Sequence, residues 1–172
     1  AESTCDNSTY VMDVSYPAVD LIVTSVGGTQ LNADVSTGTY QNEVVWNEPD
    51  LQSASGGGFS SSIPKPSYQK SISKIKNYRG VSDVSYSAGT NNGSVLVYWS
   101  EGPGGLGFYT VGGTSVGSPQ WAGIIALAKQ LAKKRLGLLN LALYNIGQSS
   151  QYSSAFHDVT LSLIHISEPT RQ

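Results

Sequence analysis

Apolar positions along this chain fall mostly in short runs, and one stretch near the C-terminal third sustains a helical period. Leu21–Val26 is a mainly apolar, β-branched run closed by Gly27-Gly28, which predicts a strand buried on both faces, as in a parallel sheet. Residues 30–42 read as a hairpin or loop around Thr37-Gly38, and Glu43–Asn47 as a short strand. A glycine-rich loop follows at Ser55–Ser60, and Pro64 and Pro66 mark an extended segment. Val95–Trp99 and Phe108–Val111 are further strand candidates, separated by the flexible Glu101–Gly105. From about Ser115 to Arg135 the pattern turns helical, with Ile124, Ile125, Leu127, Ala128 and Leu131 forming a wide apolar face. Lys129, Lys133, Lys134 and Arg135 crowd its last turns, where the macrodipole favours cations, and Gly137 suits the C-cap. Strands mixed with one strong helix predict an α/β fold.

The length of 172 residues allows one domain with a sizeable core. A net charge of −2 gives no electrostatic reason to expect nucleic acid or an anionic membrane as partner. Charged residues make up 13% of the sequence, about half the usual share. That low count suits an extracellular surface that is polar without being heavily charged. A single cysteine, Cys5, excludes an internal disulfide framework and a cysteine-based zinc site. No run of 18 or more apolar residues exists to span a membrane. The chain begins Ala1-Glu2-Ser3-Thr4 with no initial Met, and has no basic n-region and no apolar h-region, so its start does not read as a signal peptide, and the true start is expected upstream.

The chemistry concentrates in Val111-Gly112-Gly113-Thr114-Ser115-Val116-Gly117-Ser118-Pro119, a strand, a glycine turn and a helix that begins at a serine. Glycines let the backbone turn sharply and leave room for a substrate chain. A serine at that place exposes its side chain, and its own N–H, with the positive end of the helix dipole behind it, faces any oxyanion that forms. On spacing alone the same serine reads more readily as an N-cap, the commoner fate of a serine there. Pro119 is expected within the first turn, where N–H groups are not used.

Gly113-Thr114-Ser115-x-x-Ser118-Pro119 resembles the nucleophile motif shared by subtilisins and sedolisins, two peptidase families on one fold. Other segments resemble the sedolisins in their order along the chain. They are Tyr16-Pro17-Ala18 with Val26-Gly27-Gly28-Thr29, then Glu43-Val44-Val45-Trp46-Asn47, Ser55-Gly56-Gly57-Gly58-Phe59-Ser60 and Pro64-Lys65-Pro66-Ser67-Tyr68-Gln69. Val81-Ser82-Asp83-Val84-Ser85 and Phe156-His157-Asp158-Val159-Thr160 complete the series. Several segments in one order are far more specific than one motif. The resemblance implies residues 1–160 as a partial sedolisin-like catalytic domain: the C-terminal part of a subtilisin-like domain, with a mainly parallel sheet flanked by helices.

It also implies an acid-acting serine peptidase that cleaves peptide or protein substrates through an acyl-enzyme on Ser115. Such enzymes are made with a propeptide and are usually secreted or lysosomal; secretion is the expectation here. In this family a glutamate paired with an aspartate replaces histidine as base, and near pH 4 a carboxylate is partly ionised where a histidine would be protonated. A further aspartate helps hold the oxyanion. Only the serine maps onto this chain. Glu2 and Asp6 have the right spacing, but Ser3-Thr4-Cys5 is poor helix material and the pair sits too close to Tyr16-Pro17-Ala18, so the match is read as chance. Without its partners the fragment is expected to be inactive.

Asp158 and Val159 match the first two calcium ligands of the family, a carboxylate and a backbone carbonyl, but the remaining ligands have no counterpart here. Asp158 therefore reads equally as an ordinary loop residue. Residues 161–172, Leu161-Ser162-Leu163-Ile164-His165-Ile166-Ser167-Glu168-Pro169-Thr170-Arg171 with Gln172, resemble a translated sequencing adapter and are set aside as non-native. His157 is then the one histidine left, and it is read as structural. The competing expectations are a subtilisin-type enzyme with a triad working near neutral pH, or a peptidase-like module without catalysis.

Overall fold

A computed structural model describes residues 14–160 of the chain. Glu2, Cys5, Asp6 and the 161–172 segment lie outside them. The order of strands is β1 (Val26–Ala33), β2 (Tyr40–Val45), β3 (Asn47–Glu48), β4 (Ser53–Ala54), β5 (Gly58–Pro64), β6 (Tyr78–Val81), β7 (Val84–Ser87), β8 (Val95–Trp99) and β9 (Gly107–Val111). Three helices follow, α1 (Thr114–Ala132), α2 (Leu139–Gly147) and the short α3 (Tyr152–Ala155). The α/β class expected from the sequence is the one observed.

The centre is a three-stranded sheet in the order β2-β1-β7, with β1 antiparallel to β2 and parallel to β7. The expected mainly parallel sheet is found only at this β1–β7 pair; the remaining pairings, β3–β4, β5–β6 and β8–β9, are antiparallel. Connection length decides the difference. The six residues between β1 and β2 fold back on the Asp34 carboxylate, which accepts from the N–H groups of Ser36 and Thr37, and so short a link permits only an antiparallel neighbour. The parallel partner of β1 is reached only after four further strands have intervened.

The strand expected at Leu21–Val26 starts later than the apolar run suggests. Leu21 to Val23 form a turn, closed by the Asp20 carboxylate accepting from the N–H of Ile22 at 3.0 Å, and Ile22 is 77% exposed. The glycines expected to end the strand lie inside it. Gly28 is where neighbours crowd the backbone: an added Cβ would lie 2.8 Å from the Ala88 Cβ and 2.9 Å from the Trp46 ring. The Ser55–Ser60 loop likewise becomes strand from Gly58 onward. The hairpin around Gly38 and the strands at 95–99 and 107–111 follow the expectation.

Helix α1 ends at Ala132 with Lys133 as a left-handed C-cap (φ 52°), not at Arg135 with Gly137. Pro119 stands beyond the first turn, so the hydrogen bond its N–H would have given to the carbonyl of Ser115 is missing. Only the start of the helix is buried, at Thr114 and Gly117. Its apolar face is open, with Leu127 63% and Leu131 85% exposed. Helix α2, for which the sequence reading had no element, carries the buried Asn140 and Leu143.

Much of what is buried is polar. Arg79 and Asp83 form a two-pronged ion pair, with contacts of 2.7 and 2.5 Å and both side chains fully buried. The Asp83 carboxylate also accepts from the Ser25 N–H at 2.8 Å and the Tyr144 hydroxyl at 2.9 Å, which ties α2 to the sheet. Gln69 spans the same region, donating to the Gly80 carbonyl and to Tyr144 and accepting from the Gly80 N–H. Asn140 donates to the Val23 carbonyl and to Tyr68, and accepts from Thr24. Burial, and then the neighbouring Asp83 carboxylate, push the Tyr144 hydroxyl well above the ordinary tyrosine range.

Removing one partner from such a pair strands a charge in a dry site. Asp83→Ala is expected to cost about 3–5 kcal/mol in urea unfolding. The double variant Arg79→Met/Asp83→Leu should cost clearly less. Equal losses in the two would refute this reading of the pair.

Candidate functional site

Strand β9 delivers the chain to a turn at Gly112-Gly113, and α1 leaves it at once. Gly113 adopts φ 104° and ψ 158°, a region that disfavours any side chain, and is the residue before the helix. Its N–H donates to the Ala88 carbonyl at 2.6 Å, and its own carbonyl accepts from the Val116 N–H at 3.0 Å. Gly112 lies flat on the same support, since a Cβ there would meet the Ala88 oxygen at 2.8 Å and the Thr90 hydroxyl at 2.7 Å. One turn further, Gly117 lets α1 rest on the parallel pair, since a Cβ there would lie 2.9 Å from the Tyr86 Cβ and 3.4 Å from a Val26 methyl. Thr114 is buried against Gly28.

The result is a rigid first turn with one side chain left outside it. Ser115, the second residue of α1, is exposed, and among the described residues no side chain hydrogen-bonds its hydroxyl. Its N–H lies in the first turn, where it has no helical acceptor, beside the positive end of the helix dipole. Such a serine can be approached by a carbonyl group, with an N–H donor next to the place where negative charge would develop.

The support beneath the turn is itself braced by a carboxylate that the sequence reading passed over. Glu48 is 4% exposed and takes three donors: the Trp46 indole N–H at 2.8 Å, the Thr90 N–H at 3.0 Å and the Asn91 N–H at 2.8 Å. A usable signal existed, because Trp46 and Glu48 are two apart in an extended segment and so share a face. Burial works to raise the Glu48 pKa, but the donors Asn91, Trp46 and Thr90 outweigh it and hold the carboxyl below its ordinary 4.5.

The other residues named from the sequence lie elsewhere. Phe156–Val159 run along a cleft of about 1020 Å³ between β7, the hairpin of β1 and β2, and helices α1 and α2, and Ser115 is not among the residues lining it. His157 stacks on Tyr40, with ring centroids 4.0 Å apart and planes 10° from parallel. Asp158 is exposed, and burial, then the neighbouring Asp158 carboxylate, raise the pKa of the Tyr152 hydroxyl. Among the described residues no three His, Cys, Asp or Glu side chains gather to hold a metal ion. One carboxylate and one carbonyl do not make the cage of six to eight oxygens that calcium requires.

No family model matches the chain. Comparison with characterised proteins finds sedolisin of Pseudomonas sp. (strain 101), 35% identical over 159 residues covering 90% of this chain and 25% of that protein. Kumamolisin of Bacillus sp. (strain MN-32) is 32% identical over 86% of the chain and 26% of its own length. Tripeptidyl-peptidase sed4 of Aspergillus fumigatus is 30% identical over 85% and 24%. The crystal structure of Pseudomonas sedolisin, a serine-carboxyl proteinase complexed with two molecules of pseudo-iodotyrostatin, superposes with a TM-score of 0.73 at 32% identity. That match covers 84% of this chain and 38% of the sedolisin chain. The glycine turn opening onto a helix-borne serine thus lies in an α/β fold that is similar, over most of this chain, to a solved serine-carboxyl proteinase. These matches support a sedolisin-family fragment, which spans about a quarter of the length of the relatives it matches.

The lowered Glu48 pKa has a sign that can be tested. A folded value below the unfolded one contributes stability that is complete above pH 4.5 and is lost as pH falls through the folded value. Below pH 4.5 the urea midpoint of the wild type should therefore fall more steeply than that of Glu48→Gln, which has no carboxyl to titrate. Parallel curves would count against the three-donor assignment.

Proposed function

We propose that the chain is the serine-bearing part of an acid-acting peptidase and that Ser115 is its nucleophile. The observation that carries the reading is the exposed Ser115 on a turn fixed by Gly112, Gly113 and Gly117. In this reading the Ser115 Oγ attacks the scissile carbonyl of a peptide or protein substrate; the C–N bond breaks, the amine leaves with the proton taken from the hydroxyl, and water then hydrolyses the acyl-enzyme. The Ser115 N–H donates to the oxyanion while the tetrahedral carbon persists. A general base must take the hydroxyl proton, and family membership supports a glutamate backed by an aspartate in that role. In this reading that pair and the oxyanion aspartate are not among residues 14–160, and no side chain there hydrogen-bonds the Ser115 hydroxyl. The 172-residue chain alone is therefore read as inactive, with cleavage requiring the rest of the catalytic domain.

Secretion and a propeptide belong to the same proposal, supported by kinship with sedolisin and kumamolisin. No helix among the described residues is long and apolar enough to cross a membrane. Calcium stands apart: Asp158 and Val159 would supply two oxygens if the missing ligands were restored, and by themselves they hold the ion poorly.

In a full-length peptidase carrying this segment, Ser115→Ala should lower kcat/KM at acid pH by about 10⁴-fold or more, with the fold intact by circular dichroism. Retained activity would reduce Ser115 to a helix start. The isolated chain should release no peptides from a denatured protein substrate, and acid proteolysis that Ser115→Ala abolishes would overturn the expected inactivity.

Calcium is a separate test. Calorimetric titration of the isolated chain should show no saturable binding up to about 1 mM, the weak end of biological sites. Tight binding would reinstate the Asp158–Val159 site.

A further inference from the structure

The residues that touch Ser115 do not explain why its turn is held where it is; the support lies one layer deeper. The turn hangs on one backbone contact, from the Gly113 N–H to the Ala88 carbonyl, and Gly112 lies against Ala88 and Thr90. Residues 88–91 belong to no strand or helix. At one end, the Ala88 and Gly89 N–H groups donate to the Thr29 carbonyl of β1 at 2.8 and 3.1 Å. At the other, the Thr90 and Asn91 N–H groups donate to Glu48. Glu48 is in turn fixed by the indole of Trp46, whose ring packs under Gly28 at the place where Thr114 also arrives.

We propose that Glu48 is a positioning residue for the nucleophile, clamping the 88–91 loop so that the Ala88 carbonyl holds the Gly113 turn and Ser115 in place. The inference rests on the reading of Ser115 as nucleophile, but its physical content is a coupling between two backbone segments and can be measured without any catalysis. Glu48 makes no contact with the reacting atoms; it acts through four steps, from carboxylate to loop N–H groups, loop carbonyl, turn N–H and helix start. The carboxylate is suited to this because its two oxygens serve three donors at once: Oε1 takes the Asn91 N–H, while Oε2 takes the Thr90 N–H and the indole. Glutamine has the same shape and one oxygen fewer, so at least one loop N–H would face an amide NH₂ instead of an acceptor. Aspartate keeps both oxygens and is shorter by one methylene.

The test is amide hydrogen exchange followed by NMR on the 172-residue chain and its Glu48→Gln and Glu48→Asp variants. Gly113, Thr90 and Asn91 report on the clamp and the turn. Gly80, which donates to Gln69, and Asp83, which donates to the Ser25 carbonyl, report on the rest of the fold. In Glu48→Gln the exchange of Gly113 should rise about tenfold together with Thr90 and Asn91, while Gly80 and Asp83 change by less than about threefold. Glu48→Asp should bring Gly113 back to within about threefold of the wild type.

A loosened loop with Gly113 unchanged would overturn the proposal, since the clamp would then stop short of the turn. A uniform rise at all five amides, or failure of both variants to fold, would also overturn it, because Glu48 would then hold the whole fold and not the turn. Should the exchange pattern appear as expected while Ser115→Ala leaves the full-length peptidase active, the coupling stands and the nucleophile reading fails.

Discussion

The organisation of this chain follows from how closely a helix can approach a sheet. A side chain at either point of crossing would hold α1 off the β1–β7 pair. At Gly28 and Gly117 there is none, and the first turn of α1 settles against the backbone. Everything about the serine depends on that closeness. The helix starts at the carboxyl end of a strand, where α/β folds commonly place their chemistry. Gly113 can reach the Ala88 carbonyl, and the space left to Ser115 is on the outside. Larger residues at these two glycines would shift the serine even if the fold survived.

The second layer is held by polar groups. Arg79, Asp83, Gln69, Asn140 and Tyr144 bind the β6–β7 corner, the turn before β1 and helix α2 into one network. Such networks cost stability when incomplete, and directional bonds fix one arrangement more sharply than contact between methyl groups does. For the proposed role of Ser115, position is what matters in this layer, because a displacement of about 1 Å at a nucleophile is expensive in rate. Glu48 fits the same purpose: the donors that lower its pKa also hold the carboxylate in one orientation.

What could be read from the residues alone divides along the distance over which each feature is encoded. The Gly112-Gly113-Thr114-Ser115 turn is local, and its glycines announced a sharp bend before a helix. The β8–β9 hairpin and the Gly38 turn are local too, and both appear as expected. The strand at Leu21–Val26 was misplaced because apolar content spoke for burial, whereas Asp20 closes a turn there and exposes Ile22. The parallel share is smaller than the family resemblance implies, because short links join β1 to β2 and β8 to β9 as antiparallel neighbours. Helix α2 and the polar network were illegible for another reason. Thr24 meets Asn140 across 116 residues and Ser25 meets Asp83 across 58, and no spacing pattern in a single sequence announces such partners. Glu48 belongs with these, since its acceptor role becomes visible only when residues 90 and 91 arrive.

Trp46 offers a way to observe this architecture with light. Its indole is 2% exposed and hydrogen-bonded to the Glu48 carboxylate, whereas Trp99 is 44% exposed and Trp121 lies at the edge of the cleft. A water-soluble quencher is expected to reach Trp99 and to leave Trp46 alone. Emission that survives quenching would then report the indole seated beneath the turn at Gly112-Gly113, so the chain carries its own optical gauge of whether that turn is assembled.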